Sequence, residues 1–142
     1  MKTLLWLDDI RNPFDKDFTP YVALYNPFLN QPHEIIWVKD YNEFVSYLQH
    51  APKMPNAISF DHDLAPEHYT PQEYWDKFDE SKAYQEKLKY TEKTGFDCAK
   101  FLVGFCELVK SKLPICIYHT ANPVGKENME TYINNAKKHL GL

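Results

Sequence analysis

The sequence predicts an α/β domain built on a short parallel sheet of about four strands in the order 2-1-3-4. Three observations predict it. The apolar runs Leu4-Leu5-Trp6-Leu7, Ala57-Ile58-Ser59-Phe60 and Ile115-Cys116-Ile117-Tyr118 each end abruptly in polar residues, and unbroken apolar runs mark strands buried on both faces. Helical stretches separate the runs, and alternation of strand with helix gives parallel pairing. The polar residues after the runs are also of one kind, namely Asp8-Asp9, Asp61-His62-Asp63 and His119-Thr120-Ala121-Asn122. The carboxyl ends of neighbouring strands line the ligand crevice of an open α/β sheet. If the runs pair, Asp8, Asp9, Asp61, Asp63 and His119 converge on one pocket.

Strand 1 is expected over about Thr3 to Leu7. The stretch from Arg11 to Gln31 carries Pro13, Pro20 and Pro27 among Phe, Tyr and Leu. Proline interrupts regular structure while the apolar residues need cover, so a packed loop is expected, with at most a short helix near Tyr21 to Tyr25. Strand 2 follows at Glu34 to Val38. Asp40 and Glu43 form a capping pair that opens a helix with the stripe Tyr41, Phe44, Val45 and Leu48, and Pro52 and Pro55 end it. Strand 3 is Ala57 to Phe60.

Leu64 to Lys93 is expected to be a helical insert. Thr70-Pro71-x-Glu73 is a helix start with proline in the first turn, and the charge-rich remainder has a patchy apolar face suited to an arm or lid. Thr94-Gly95-Phe96-Asp97 is a second capping box, ahead of an amphipathic helix through Phe101, Leu102, Phe105, Leu108 and Val109. Pro114 separates it from strand 4, Ile115 to Tyr118. A last helix is expected from about Gly125 to Leu140. Order 2-1-3-4 puts strands 1 and 3 side by side at the centre, where the flavodoxin-like arrangement has its switch point.

The chain of 142 residues is expected to be one domain, residues 1–142. Its apolar content of 44% is enough for a core and argues against disorder. A net charge of -4 argues against an extended duplex nucleic-acid surface or a membrane surface, both of which favour basic patches. It leaves room for a phosphate ligand whose countercharge is local. The three cysteines have neither disulfide-framework nor metal-pair spacing. No basic-then-apolar leader opens the sequence, and no apolar stretch approaches the roughly 18 residues of a membrane span. A cytoplasmic protein is expected. Oligomeric state is not legible.

Carboxylates crowded together repel unless a hard cation sits among them. Asp8, Asp9, Asp61 and Asp63 are therefore candidate ligands for Mg2+ or Mn2+, and two or three of them suffice, since waters and substrate oxygens fill the remaining positions. A single Asp after a strand is often only a cap or turn residue, and that reading stands beside the metal one for Asp8 and Asp63. His119 and His62 are candidate acid and base because imidazole titrates near working pH. Either suits a metal equally. Arg11 is the only arginine. It is a planar grip for phosphate or a salt bridge that holds the Asp cluster. Asn122-Pro123-Val124-Gly125 precedes a helix start, with Asn128 one turn on; taken alone it reads as a plain turn into a helix, and beside the acidic cluster its free N–H groups and glycine also permit anion binding.

Four motifs occur in order: Leu5-Trp6-Leu7-Asp8-Asp9-x-Arg11-x-Pro13, Ser59-Phe60-Asp61-His62-Asp63-Leu64, Thr94-Gly95-x-Asp97, and His119-Thr120-Ala121-Asn122-Pro123-Val124-Gly125 with Asn128-Met129. Together they resemble the cyclic-phosphate-processing receiver-like domain family over nearly the whole chain. The resemblance implies a receiver-like three-layer fold with acidic residues where receivers bind Mg2+. It implies action on cyclic-phosphate nucleotides or RNA ends, in bacterial or phage conflict settings. It carries the site to Asp8, Asp9, Asp61, Asp63 and His119, helped by Arg11, His62 and Asn122. The chain departs from an ordinary receiver by stopping after the fourth strand and its helix, and by having no lysine after a fifth. Both departures count against phospho-relay signalling.

The expected function is a metal-dependent phosphoesterase. Asp8, Asp9, Asp61 and Asp63 hold the metal, and His119, His62 and Asp61 carry the chemistry. Arg11, Asn122, Gly125 and Asn128 bind the cyclic-phosphate nucleotide or RNA end. The alternatives are a module that binds a cation or nucleotide without turnover, and a phosphoacceptor domain with Asp61 as nucleophile.

Overall fold

The computed structural model describes residues 1–64 and 93–142. Four strands, β1 (Lys2–Leu7), β2 (His33–Val38), β3 (Ala57–Phe60) and β4 (Ile115–Tyr118), pair in the order β2-β1-β3-β4. Every pairing is parallel. The parallel sense matches the expectation from alternation, the order matches the expected 2-1-3-4, and the fold is the receiver/flavodoxin-like α/β arrangement. The expected helical insert lies outside the described residues except for its ends.

Among the described residues the helices are α1 (Thr19–Ala23), α2 (Tyr41–His50), α3 (Gly95–Val109) and α4 (Pro123–Leu140). Local chemistry starts each long one. The Asp40 carboxylate accepts from the Glu43 N–H at the head of α2. Thr94 and Asp97 satisfy each other's backbone donors at the head of α3. Asn122 caps α4 with Pro123 in its first turn. This helix therefore starts ahead of the expected Gly125, because a capping Asn and a proline with preset φ both favour initiation there. Pro20 likewise pulls α1 toward the N-terminus of its expected position at Tyr21 to Tyr25.

Strand residues alternate between two faces. On one face Leu5, Leu7, Ile58 and Phe60 are fully buried. They join Phe44 and Leu48 of α2, Leu102 and Cys106 of α3, and Met129 and Ile133 of α4 in one apolar cluster. Each such side chain contributes roughly 1.5–3 kcal/mol through removal from water. On the other face Leu4 and Ala57 pack against Phe28 and Ile35. Among the described residues this second face is covered by the segment between β1 and β2, which includes α1. Among the described residues the layers are thus three long helices, the sheet, and this proline-broken segment. No described helix is long and apolar enough to cross a membrane.

Candidate metal and phosphate site

The register of the sheet assembles the site. Leu7 pairs with Phe60, and Phe60 pairs with Tyr118. The next residue on each strand is Asp8, Asp61 and His119. Sheet hydrogen bonds continue through this row, since the Asp8 N–H donates to Val38 O at 3.1 Å, that of Asp61 to Leu7 O at 3.0 Å and that of His119 to Phe60 O at 3.0 Å. Residues in one row of adjacent strands point to one face. Asp8, Asp61 and His119 therefore face the same way, on the side that also carries Trp6 and Ser59. Each of the three offers one donor atom, and these atoms lie within 4.8 Å of one another.

Asp8 divides its two oxygens. Oδ1 accepts from the backbone N–H groups of Ile10 and Arg11, both at 2.9 Å, which turns the chain out of β1. Oδ2 faces the site, 3.1 Å from His119 Nε2 and 3.2 Å from an Arg11 guanidinium nitrogen. The turn reading and the site reading of Asp8 are both met, one by each oxygen. Burial works to raise its pKa. The hydrogen bond to His119 and the Arg11 and Ile10 N–H groups outweigh this, and the net direction is down. An ionised Asp8 only accepts, so His119 donates Nε2–H to it, and the bare Nδ1 takes the Ser59 Oγ–H at 2.7 Å. Burial holds the His119 imidazolium form disfavoured and its pKa below the ordinary value, against the pull of Asp8. Trp6 stacks on the imidazole at 3.9 Å with a 4° angle between rings. The Tyr21 hydroxyl donates to the His119 carbonyl.

Asp61 is 3% exposed. Burial, then repulsion from Asp8 and Asp63, push its pKa up to about 8, and Thr120 and Arg11 only partly offset this. Arg11 stands 4.0 Å from Asp61 Oδ2, with its guanidinium over the Tyr21 ring at 4.9 Å. Its side chain is 31% exposed. It forms the salt bridge of the sequence reading while still reaching solvent, where a phosphate oxygen is within its chemistry. Two carboxylates and an imidazole in one row, with the Asp61 pKa raised by burial and by its like-charged neighbours, are a donor set that suits a divalent cation, whose charge would relieve that repulsion.

Asp63 points elsewhere. Its Oδ1 accepts from His62 Nδ1–H at 2.9 Å and from the Asn122 amide at 3.1 Å. The chain leaves extended geometry after Asp61, so a spacing of two does not return Asp63 to the face of Asp61. Among the described residues the close donor group contains His119 and neither Asp9 nor Asp63. Asp9 is half-buried. The Gly125 N–H donates to Asn122 Oδ1 at 2.9 Å, and that amide is therefore committed within the cap rather than free for an anion. A Cβ on Gly125 would lie 2.3 Å from His62 Cγ, and one on Gly95 would lie 1.9 Å from the Asp61 carbonyl oxygen. The two glycines let the starts of α3 and α4 close on the Asp61-His62 backbone and ring. Asn128 is on the exposed side of α4.

Ser59, Trp6 and Tyr21 belong to this site, although sequence reasoning did not single them out for it. A signal existed for Ser59: it is the lone hydroxyl in a buried apolar run, two residues before Asp61 and so on its face.

The fold and this buried Asp-Asp-His row define a receiver-like domain with a donor group at its strand ends that could hold a metal ion. Residues 3–135 match the family described as the cyclic-phosphate processing receiver domain, and the chain belongs to that family. No curated protein and no solved structure matches the chain.

Proposed function

We propose that the domain is a metal-dependent phosphoesterase acting on cyclic-phosphate nucleotides or RNA cyclic-phosphate ends. The observation that carries this reading is the single row of Asp8, Asp61 and His119 with donor atoms within 4.8 Å. These residues would hold Mg2+ or Mn2+, which supplies polarisation of a phosphoryl oxygen and a lowered pKa of water. Arg11 keeps Asp8 and grips a phosphate oxygen with its exposed edge. His119, one of the three close donors of the row, serves as ligand rather than proton carrier. Proton transfer then falls to His62. Asp63 takes its Nδ1–H and leaves Nε2 as the basic nitrogen. Water adds to phosphorus as one ring P–O ester bond breaks. His62 takes the proton of the water and returns it to the departing oxygen, giving a phosphate monoester.

The test is incubation with Mg2+ or Mn2+ and a panel of cyclic nucleotides and 2′,3′-cyclic-phosphate RNA ends. Product is expected, and His62→Ala should lower turnover on the order of 10²–10⁴-fold while changing affinity much less. Binding without turnover would replace this reading with a binding module. The place of Asp61 at the end of β3, beside Asp8, favours one further reading, a phosphoacceptor. Stable phosphorylation of Asp61 by acetyl phosphate would establish it.

A further inference from the structure

We propose that Ser59 is the positioning residue that makes His119 a metal ligand, and that the site in consequence selects a first-row transition ion such as Mn2+ over Mg2+. The inference rests on the metal reading above. Ser59 is 0% exposed in the middle of β3, and its Oγ lies 2.7 Å from His119 Nδ1. Trp6 fixes the plane of the imidazole, and the His119 N–H and carbonyl are pinned by Phe60 O and the Tyr21 hydroxyl. The ring has little rotational freedom left. What remains free is the tautomer.

A hydroxyl both donates and accepts. While Nε2–H points to Asp8, Ser59 donates to Nδ1. When Nε2 turns its lone pair to a cation, the proton must sit on Nδ1, and Ser59 accepts it. Ser59 Oγ can serve both tautomers from one position, 2.7 Å from Nδ1. Alanine serves neither state, and a carboxylate serves only the second. A ligating histidine is held by such an acceptor on its other nitrogen, and loss of that acceptor typically costs 10–100-fold in affinity. Imidazole nitrogen in the donor set favours transition ions, whereas Mg2+ favours oxygen alone.

The experiment measures Mn2+ affinity of the full chain by electron paramagnetic resonance and Mg2+ affinity by competition. Wild type should bind Mn2+ more tightly than Mg2+, since an imidazole nitrogen suits a transition ion better than Mg2+. Ser59→Ala should weaken Mn2+ binding about 10–100-fold and Mg2+ binding much less, so that the preference collapses. A purely structural serine would alter stability and leave the ratio of the two affinities intact. Nitrogen-15 NMR of wild type with diamagnetic Zn2+ decides the matter even if Ser59→Ala does not fold. The His119 proton should move from Nε2 to Nδ1 on metal addition. Equal affinity for the two ions in wild type, an unchanged ratio in Ser59→Ala, or an unchanged tautomer would each overturn the inference. If no divalent ion binds wild type at all, the metal reading falls with it.

Discussion

The two faces of the sheet come from the same strands and have opposite chemistry. On the helix-covered face, Leu5, Leu7, Ile58 and Phe60 are fully buried among side chains of α2, α3 and α4. On the other face the same strands carry Trp6 and Ser59, and the next row adds Asp8, Asp61 and His119. That face is covered by the proline-broken segment after β1, whose Tyr21 and Arg11 approach the row. Long helices close one side tightly enough to supply the packing energy. A segment with one short helix and aromatic side chains covers the other, and its polar groups, Arg11 and the Tyr21 hydroxyl, reach the buried row. One face can then hold the cost of crowded, desolvated carboxylates created on the other.

This division is broken or sharpened most strongly by neighbouring substitutions on β3. Phe60→Ala should cost about 3–5 kcal/mol in denaturant unfolding, the range for deleting a buried aromatic ring. Ser59→Ala, one residue away on the other face, should cost about 1–3 kcal/mol because it strips a buried imidazole nitrogen of its partner. Equal costs would mean that both faces carry the fold alike. Next in size is a pair of glycines in α3. Gly95→Ala would drive a Cβ to 1.9 Å from the Asp61 carbonyl oxygen, and should destabilise by about 1–3 kcal/mol or more through overpacking. Gly104→Ala meets nothing within 4 Å, and should instead stabilise by about 0.5–1 kcal/mol through backbone entropy. The same sign for both would show that closure of α3 on the strand end is slack.

The smallest effect per step is in pH. Asp61 has a folded pKa raised from 3.8 to about 8. The folded state therefore binds its proton more tightly than the unfolded chain, and this stability is lost as pH rises through about 8. His119 is shifted down from 6.5, so its penalty grows as pH falls below that value. Between these limits Asp61 dominates. In chelator, melting temperature should fall from pH 6.5 to 8.5, with a slope of at most about 1.4 kcal/mol per pH unit. Asp61→Asn should flatten the slope, and saturating Mn2+ should flatten it in wild type. A slope that survives Asp61→Asn would assign it to another group.

Periodicity and punctuation determined much of this protein. Unbroken apolar runs marked the strands, Asp40 and Thr94 marked helix starts, and alternation implied parallel pairing, with the order 2-1-3-4 taken from the flavodoxin-like arrangement. These signals are local, because backbone hydrogen bonding and side-chain alternation act over a few residues. Tertiary structure alone decided which polar groups meet. Three strands had to align at Leu7, Phe60 and Tyr118 before Asp8, Asp61 and His119 shared a row. Asp63 left that set when the chain turned after β3, and it took His62 and Asn122 as partners. The Gly125 amide went to the Asn122 cap, and glycines that look like loop or anion-site signals proved to be points of close approach. Ser59 gained its meaning only from an imidazole 60 residues away in sequence. Direction past a strand end and contact across strands depend on the whole packed fold, which no local pattern encodes.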